Sequence, residues 1–268
     1  MKQVNKKINL KKVVNMNNYK LIQGDCIEEM QKLIDKGVKV DMVLTDPPYG
    51  TTACKWDSII PFEEMWECLN GLTYDNTPIV LFGSEPFSSN LRMSNIGQFK
   101  YDWIWYKNTA SGFPFAKYQP LRNHEIISVF YKKRPYYNPI KEERDATLES
   151  KKRMTYKFNG NHKTDVYDLN SVEHNLDNKS YPKTIKRFKS VPNSKGRLHP
   201  SQKPVALLKY LIKTYTKEND TVLDFTMGSG STGVACLQTD RNFIGIELDK
   251  KYYNVANERL RKSNNRVL

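Results

Sequence analysis

The sequence predicts an α/β fold with a mostly parallel sheet, on three observations. Apolar runs of strand length alternate with segments of helical spacing. Two of those runs end in loops dense in reactive residue types, Asp46-Pro47-Pro48-Tyr49-Gly50 and Gly228-Ser229-Gly230-Ser231-Thr232-Gly233. The chain has 268 residues, 38% of them hydrophobic and 12% aromatic, enough to bury a full core and too rich for a disordered chain.

The elements follow in chain order. Tyr19–Gln23 is a short strand. Residues 26–36 have helical spacing, with Ile27, Met30, Leu33 and Ile34 on one face. Residues 38–45 form a largely apolar run suited to a strand buried on both faces. It must end at Pro47 and Pro48, which cannot continue a ladder. A helix is expected over 61–72, a buried strand over 78–82 and a helix over 84–94. Strands over 101–106 and 125–131 flank an irregular loop, 107–123. After Pro204 comes the helix Val205–Tyr215. A strand over 221–225, the glycine-rich turn, a helix over 232–239 and the strand Asn242–Glu247 follow. A last amphipathic helix carries Tyr252, Val255, Ala256 and Leu260 on one face.

Composition breaks this alternation twice. Residues 1–20 carry six lysines and no acid, a basic arm over 1–18 without the apolar core of a secretory signal. Residues 132–197 carry 17 Lys or Arg against 8 Asp or Glu, a net charge of +9, with poor apolar periodicity. That segment reads as an insertion between a first half, 19–131, and a second half, 198–268, of one domain. The whole chain has net charge +14, which points to a polyanionic partner, most often nucleic acid. No apolar run approaches the roughly 18 residues that span a bilayer, so no membrane partner is expected. The four cysteines and four histidines are scattered, without CxxC. No metal site is expected, and reduced thiols fit a cytoplasmic protein.

The glycine loop matches G-x-G-x-x-G after a strand and before a helix, the context the motif requires. Glu247 ends the next strand, 17 residues beyond Gly230, where an acid can accept hydrogen bonds from both ribose hydroxyls of an adenosine-like ligand. NAD, FAD and S-adenosylmethionine sites share this geometry. Asp224, ending the preceding strand, can pair with an ammonium, which S-adenosylmethionine has and NAD lacks.

The second loop defines a chemistry. An exocyclic amine on a nucleobase is a poor nucleophile because its lone pair is delocalised into the ring. Two acceptors for its N–H groups draw the nitrogen toward tetrahedral geometry. Asp46 supplies one and the carbonyl of Pro47 the other, Pro48 fixes the turn, and Tyr49 can stack on the base. The base must leave the duplex to reach such a pocket. Stacking returns about 1–3 kcal/mol per base, comparable with the few kcal/mol of unstacking.

In these motifs and their order the sequence resembles the amino-group DNA methyltransferases of the β class. The matching stretches are Gly24-Asp25-Cys26, Asp46 to Gly50, Trp103-Ile104-Trp105-Tyr106-Lys107, His199-Pro200-Ser201-Gln202-Lys203-Pro204, and Asp224 to Thr232. The resemblance implies a Rossmann-like S-adenosylmethionine-dependent fold whose seven-stranded sheet has the family order 3-2-1-4-5-7-6. It implies that Asp46, Pro47, Pro48 and Tyr49 hold the target base. It implies that Asp224, Phe225, Gly228, Ser229, Gly230 and Glu247 hold S-adenosylmethionine, with Asp25 near its adenine and Ser201 and Lys203 near its methionine end. The family commonly has Asp-Pro-Phe before the glycines, whereas Asp224-Phe225-Thr226-Met227 stands here, and Ser201 replaces a more usual Thr. The 132–197 segment sits where the family places target recognition.

The implied reaction is direct methyl transfer to N6 of a flipped-out adenine in double-stranded DNA, with no covalent enzyme intermediate. N4 of cytosine is the alternative, since the same acceptors serve both amines. Within the family, Asp at the first motif position leans toward adenine and Ser toward cytosine. Motif order and the basic insertion argue against an RNA or protein-amide methyltransferase. Intact Asp46, Tyr49, Asp224 and Glu247 argue against an inactive DNA-binding module. A homodimer and a separate restriction endonuclease are partners the family allows.

Overall fold

The computed structural model describes residues 18–51, 57–143, 163–164, 167–168, 179–192 and 198–264. Residues 1–17 of the 1–18 basic arm and much of the 132–197 segment lie outside the described residues. The chain forms two compact units. One comprises residues up to Asn138 together with those from Thr184 onward; the other is Pro139–Lys183.

In the larger unit the elements are β1 (Tyr19–Gln23), α1 (Cys26–Asp35), β2 (Met42–Thr45), α2 (Phe62–Leu72), β3 (Ile79–Gly83), α3 (Phe87–Ser94), β4 (Phe99–Ser111) and β5 (Arg122–Phe130). The smaller unit holds β6 (Glu142–Glu143), β7 (Lys163–Thr164), β8 (Tyr167–Asp168) and β9 (Lys179–Ser180). In it β6 pairs with β9 and β7 with β8, both antiparallel. The larger unit resumes with β10 (Ile185–Arg187), α4 (Val205–Tyr215), β11 (Thr221–Asp224), α5 (Ser231–Leu237), β12 (Asn242–Glu247) and α6 (Lys250–Asn264).

Its sheet has eight strands in the order β1-β12-β11-β2-β3-β5-β4-β10. The first seven positions reproduce the order 3-2-1-4-5-7-6, and β10 adds an eighth strand at the edge. Only β5 runs antiparallel to its neighbours. Side chains alternate between two cores. Met42 and Leu44 join Leu208, Val234 and Leu260 on the face covered by α4, α5 and α6. Val43 and Leu81 join Met30, Leu69 and Leu91 on the face covered by α1, α2 and α3. Trp103 and Trp105 are buried in the first core.

Two expectations change. β10 lies inside the range read as an insertion, yet it pairs in parallel with Ile104–Tyr106 of β4. The Phe188 carbonyl after it accepts a hydrogen bond from Trp105 Nε1 at 2.9 Å. Its one buried side chain is Lys186, whose ammonium lies 5.7 Å from the Trp103 ring centroid and 5.2 Å from that of Tyr210. Cation–π contact replaces apolar contact there, so no apolar period marks the strand. At the other boundary, Asn138 N–H donates to the Thr214 carbonyl at 2.7 Å and ties 132–138 to the larger unit. The second change is in 107–123. β4 continues to Ser111, which pairs with Arg122 at the start of β5. The connecting tip exposes Phe113 (80%) and Phe115 (58%) rather than packing them on the core.

β11 and β2 are adjacent, but their following strands lie on opposite sides of them. This is the topological switch point of an open sheet, where a crevice forms at the carboxyl ends. Among the described residues, no helix is long and apolar enough to cross a membrane, and no three His, Cys, Asp or Glu side chains are grouped to hold a metal ion.

Candidate active site

β2 delivers Thr45 and Asp46 to this crevice, and Pro47-Pro48 stops the ladder because neither has an N–H. The turn beyond them is held from outside. The Asp57 carboxylate accepts from the N–H groups of Tyr49 (2.8 Å), Gly50 (2.9 Å) and Thr51 (2.9 Å). The Tyr49 ring leans on Phe87 with centroids 5.0 Å apart, and its hydroxyl donates to Asp46 Oδ1 at 2.5 Å. Burial, then the nearby Asp46 charge, pushes the Tyr49 phenol well above its ordinary value. It therefore stays protonated and a donor.

The other oxygen of Asp46, Oδ2, accepts from Lys203 Nζ. The same ammonium lies 3.3 Å from Glu125 Oε2, and Glu125 Oε1 accepts from Lys107 Nζ. Two carboxylates and two ammoniums thus alternate in a partly buried row. Burial raises Asp46 above the usual carboxylate range despite Lys203. Glu125 is lowered: burial pushes it up, but Lys203 and Lys107 outweigh that. Lys203 is raised, since Asp46 and Glu125 overcome the opposing effect of burial.

β11 ends one strand away from β2. Asp224 Oδ1 accepts from Thr45 Oγ1 at 2.6 Å and from Thr226 N–H at 3.2 Å. Thr226 Oγ1 in turn donates to the Asp46 carbonyl at 3.1 Å. The two loops are therefore stitched together by short polar side chains. Burial pushes Asp224 up to about 6, partly offset by the Thr232 and Thr45 hydroxyls. Beyond it, Gly228 adopts φ +52°, a left-handed conformation that suits glycine. Its N–H donates to Glu247 Oε2 at 2.8 Å, while Glu247 Oε1 accepts from Asp249 N–H at 2.9 Å. Burial raises Glu247 as well.

These groups line one cleft of about 780 Å³, within the range of small-molecule and cofactor sites. Asp25, Asp46, Pro47, Pro48, Tyr49, Ser201, Lys203, Asp224, Phe225, Gly228, Ser229 and Glu247 all border it. Gly230 does not. At φ +73° it faces α6, and a Cβ there would come within 2.8 Å of Leu260 Cδ1. Asp25 caps α1, accepting from Ile27 N–H at 2.9 Å. Ser201 Oγ lies 2.9 Å from His199 Nδ1. Phe225 packs in the core with one edge on the cleft. Lys203, expected at the methionine end of the cofactor, borders the same cleft and places its ammonium on Asp46 and Glu125.

Sequence reading missed Glu125, Lys107 and Asp57. Lys107 closed a quoted motif without a role. Glu125 follows three polar residues, and its one signal is the buried run Ile126–Phe130 directly after it. Asp57 follows the catalytic loop closely, but its three backbone bonds need the folded turn.

A family model described as DNA methylase matches residues 40–258. The Type II methyltransferase M2.MboI of Moraxella bovis is 26% identical, over 90% of this chain and 87% of that protein. Among solved structures, M1.HpyAVI in complex with SAM superposes with TM-score 0.63 at 26% identity, covering 90% of this chain and 98% of that one. The cytosine-N4-specific PvuII DNA methyltransferase shares the fold at 14% identity, with TM-score 0.60 over 94% of this chain and 93% of that one.

Proposed function

The chain belongs to the DNA methylase family of N6 and N4 amino-group methyltransferases, and on that premise we propose that it transfers the methyl group of S-adenosylmethionine to N6 of an adenine flipped out of double-stranded DNA. The observation that carries this reading is the juxtaposition across the switch point. The acceptor Asp46 and the buried acid Asp224 are joined through Thr45 and Thr226 in one cleft.

The donor set suits this cofactor. Asp224 is a buried carboxylate whose hydrogen-bond partners are hydroxyls and a backbone N–H. A ligand ammonium would satisfy its charge. The left-handed Gly228 lets the loop backbone approach a ligand closely, with Ser229 beside it. Each Glu247 oxygen accepts one N–H and keeps a lone pair for a ribose hydroxyl. Asp25 borders the adenine end, Phe225 offers an apolar edge and Ser201 a hydroxyl at the methionine end. When bound, S-adenosylmethionine supplies a methyl on a sulfonium, already a good leaving group.

The protein's own contribution is positioning. Asp46 and the Pro47 carbonyl accept the two N–H bonds of the target amine and aim its lone pair at the methyl. Pro48 and Asp57 fix the turn, and Tyr49 offers its ring to the base. Holding reactants in line can supply most of the rate enhancement. Asp at the first motif position favours adenine over cytosine. The basic 132–197 segment supports contact with DNA, and the Type II name of the Moraxella relative supports a separate restriction endonuclease as partner.

Asp46→Ala tests the acceptor role. Methyl incorporation into DNA should fall below detection while calorimetry shows S-adenosylmethionine affinity within threefold of the parent. A variant that still methylates at a near-normal rate would refute the role.

A further inference from the structure

The row of charges beside Asp46 holds one acceptor with no assigned task. Glu125 Oε1 is engaged by Lys107, but its buried Oε2 accepts no hydrogen bond. That oxygen is ion-paired with Lys203 Nζ at 3.3 Å, while the same ammonium is hydrogen-bonded to Asp46 Oδ2. Lys203 and Glu125 are both largely buried, with side chains 8% and 14% exposed.

This arrangement poses a problem for the proposed reaction and offers its solution. A carboxylate neutralised by a contacting ammonium is a weak acceptor for an amine. Methyl transfer also builds positive charge on the target nitrogen, next to which an ammonium on Asp46 is unfavourable. Lys203 cannot leave Asp46 for an apolar environment, because a buried charge without a partner is costly. It can shift fully onto a second carboxylate with which it is already ion-paired.

We propose that Glu125 is a positioning residue that receives the Lys203 ammonium when the target amine engages Asp46, so that Asp46 presents its full charge to the amine. The inference rests on the acceptor reading of Asp46. Glu125 touches neither base nor methyl donor in this scheme and acts through Lys203. Lys107 anchors the far oxygen, so that Oε2 stays aimed at Lys203. The charged and titratable groups facing this row are Asp46 and Tyr49 from the loop after β2, Lys107 from β4, Glu125 from β5 and Lys203 from the segment before α4.

The test compares Glu125→Gln, Glu125→Asp and Lys107→Gln with the parent, measuring kcat, KM for DNA, S-adenosylmethionine affinity and the acid limb of the pH–rate profile. Glu125→Gln leaves Lys203 bound to Asp46. Its kcat should fall at least tenfold, with KM and cofactor affinity within threefold. Its acid limb should move to lower pH, because the negative charge that raises Asp46 is gone. Lys107→Gln removes a positive charge instead, so its limb should move to higher pH. Glu125→Asp, which keeps a carboxylate, should recover part of kcat.

A Glu125→Gln enzyme with parental kcat and an unmoved limb overturns the proposal. So does a kcat loss in which both glutamine variants leave the limb in place, since that is the signature of a purely structural pair. Should Glu125→Gln lose cofactor binding and hence its fold, Lys107→Gln decides: an unmoved limb overturns the proposal. Asp46→Ala separates the two readings. If it is dead while Glu125→Gln is normal, the Glu125 role alone fails; if it is active, the acceptor reading fails first.

Discussion

Asp224 is an acid that burial holds at about 6, and two consequences of opposite sign follow. A ligand ammonium favours its ionised form. S-adenosylmethionine affinity should therefore be greatest near pH 7 and fall as pH drops through 6, approaching tenfold per pH unit. Calorimetry between pH 5 and 8 checks this, and Asp224→Asn should bind at least tenfold more weakly at pH 8 with a flat pH dependence. For stability the sign reverses. The folded value lies above the unfolded one of about 3.9, so the native state binds more protons between them. The contribution of Asp224 to stability is complete below about pH 4 and is lost as pH rises through 6. Asp224→Asn should accordingly raise the Tm of the cofactor-free protein at pH 7 by roughly 2–4 °C for each kcal/mol recovered. At this scale the sequence was most informative where chemistry is local. Asp46 and Asp224 are legible because their partners are neighbours in the chain or fixed by motif order. Glu125 and Lys203 are 78 residues apart, and only the fold brings them together.

The elements explain why one glycine of the loop differs from the others. Gly228 borders the cleft, whereas Gly230 packs on α6 with φ +73° and no room for a Cβ beside Leu260 and Ala256. Gly230→Ala should cost about 1–3 kcal/mol of stability, read as a lower urea midpoint, while cofactor affinity stays within threefold. Asp57 plays the matching role at the other loop. Removing its carboxylate strands three backbone N–H groups, so Asp57→Ala should destabilise by about 1–3 kcal/mol and reduce kcat more than cofactor affinity. The helices and most strands are legible from periodicity, because each buries an apolar face, whereas the strand order is what the family resemblance implies. The eighth strand did not, because its single inward residue is a lysine stabilised by aromatic rings. Only the outer half of the β4–β5 hairpin, within 107–123, reads as a loop, because it buries nothing and has no apolar alternation.

At the scale of the whole molecule, charge is segregated along the chain. Residues 1–20 carry six lysines and residues 132–197 a net +9, but only +1 of that lies in Pro139–Lys183; residues 132–138 carry +3 and 184–197 carry +5, and both belong to the larger unit. This places the DNA attraction in the basic arm and in the two stretches of the larger unit that flank Pro139–Lys183. DNA affinity should fall steeply with salt, and replacing the basic residues of 132–138 by Gln should lower the slope of log K against log salt by up to roughly 0.9 per charge. Cofactor affinity should not change. The most direct measurement of the central claim is mass spectrometry of nucleosides from unmethylated duplex DNA incubated with the protein and S-adenosylmethionine. The account predicts N6-methyladenine that appears with the parent enzyme and is absent with Asp46→Ala; N4-methylcytosine without methyladenine would contradict it.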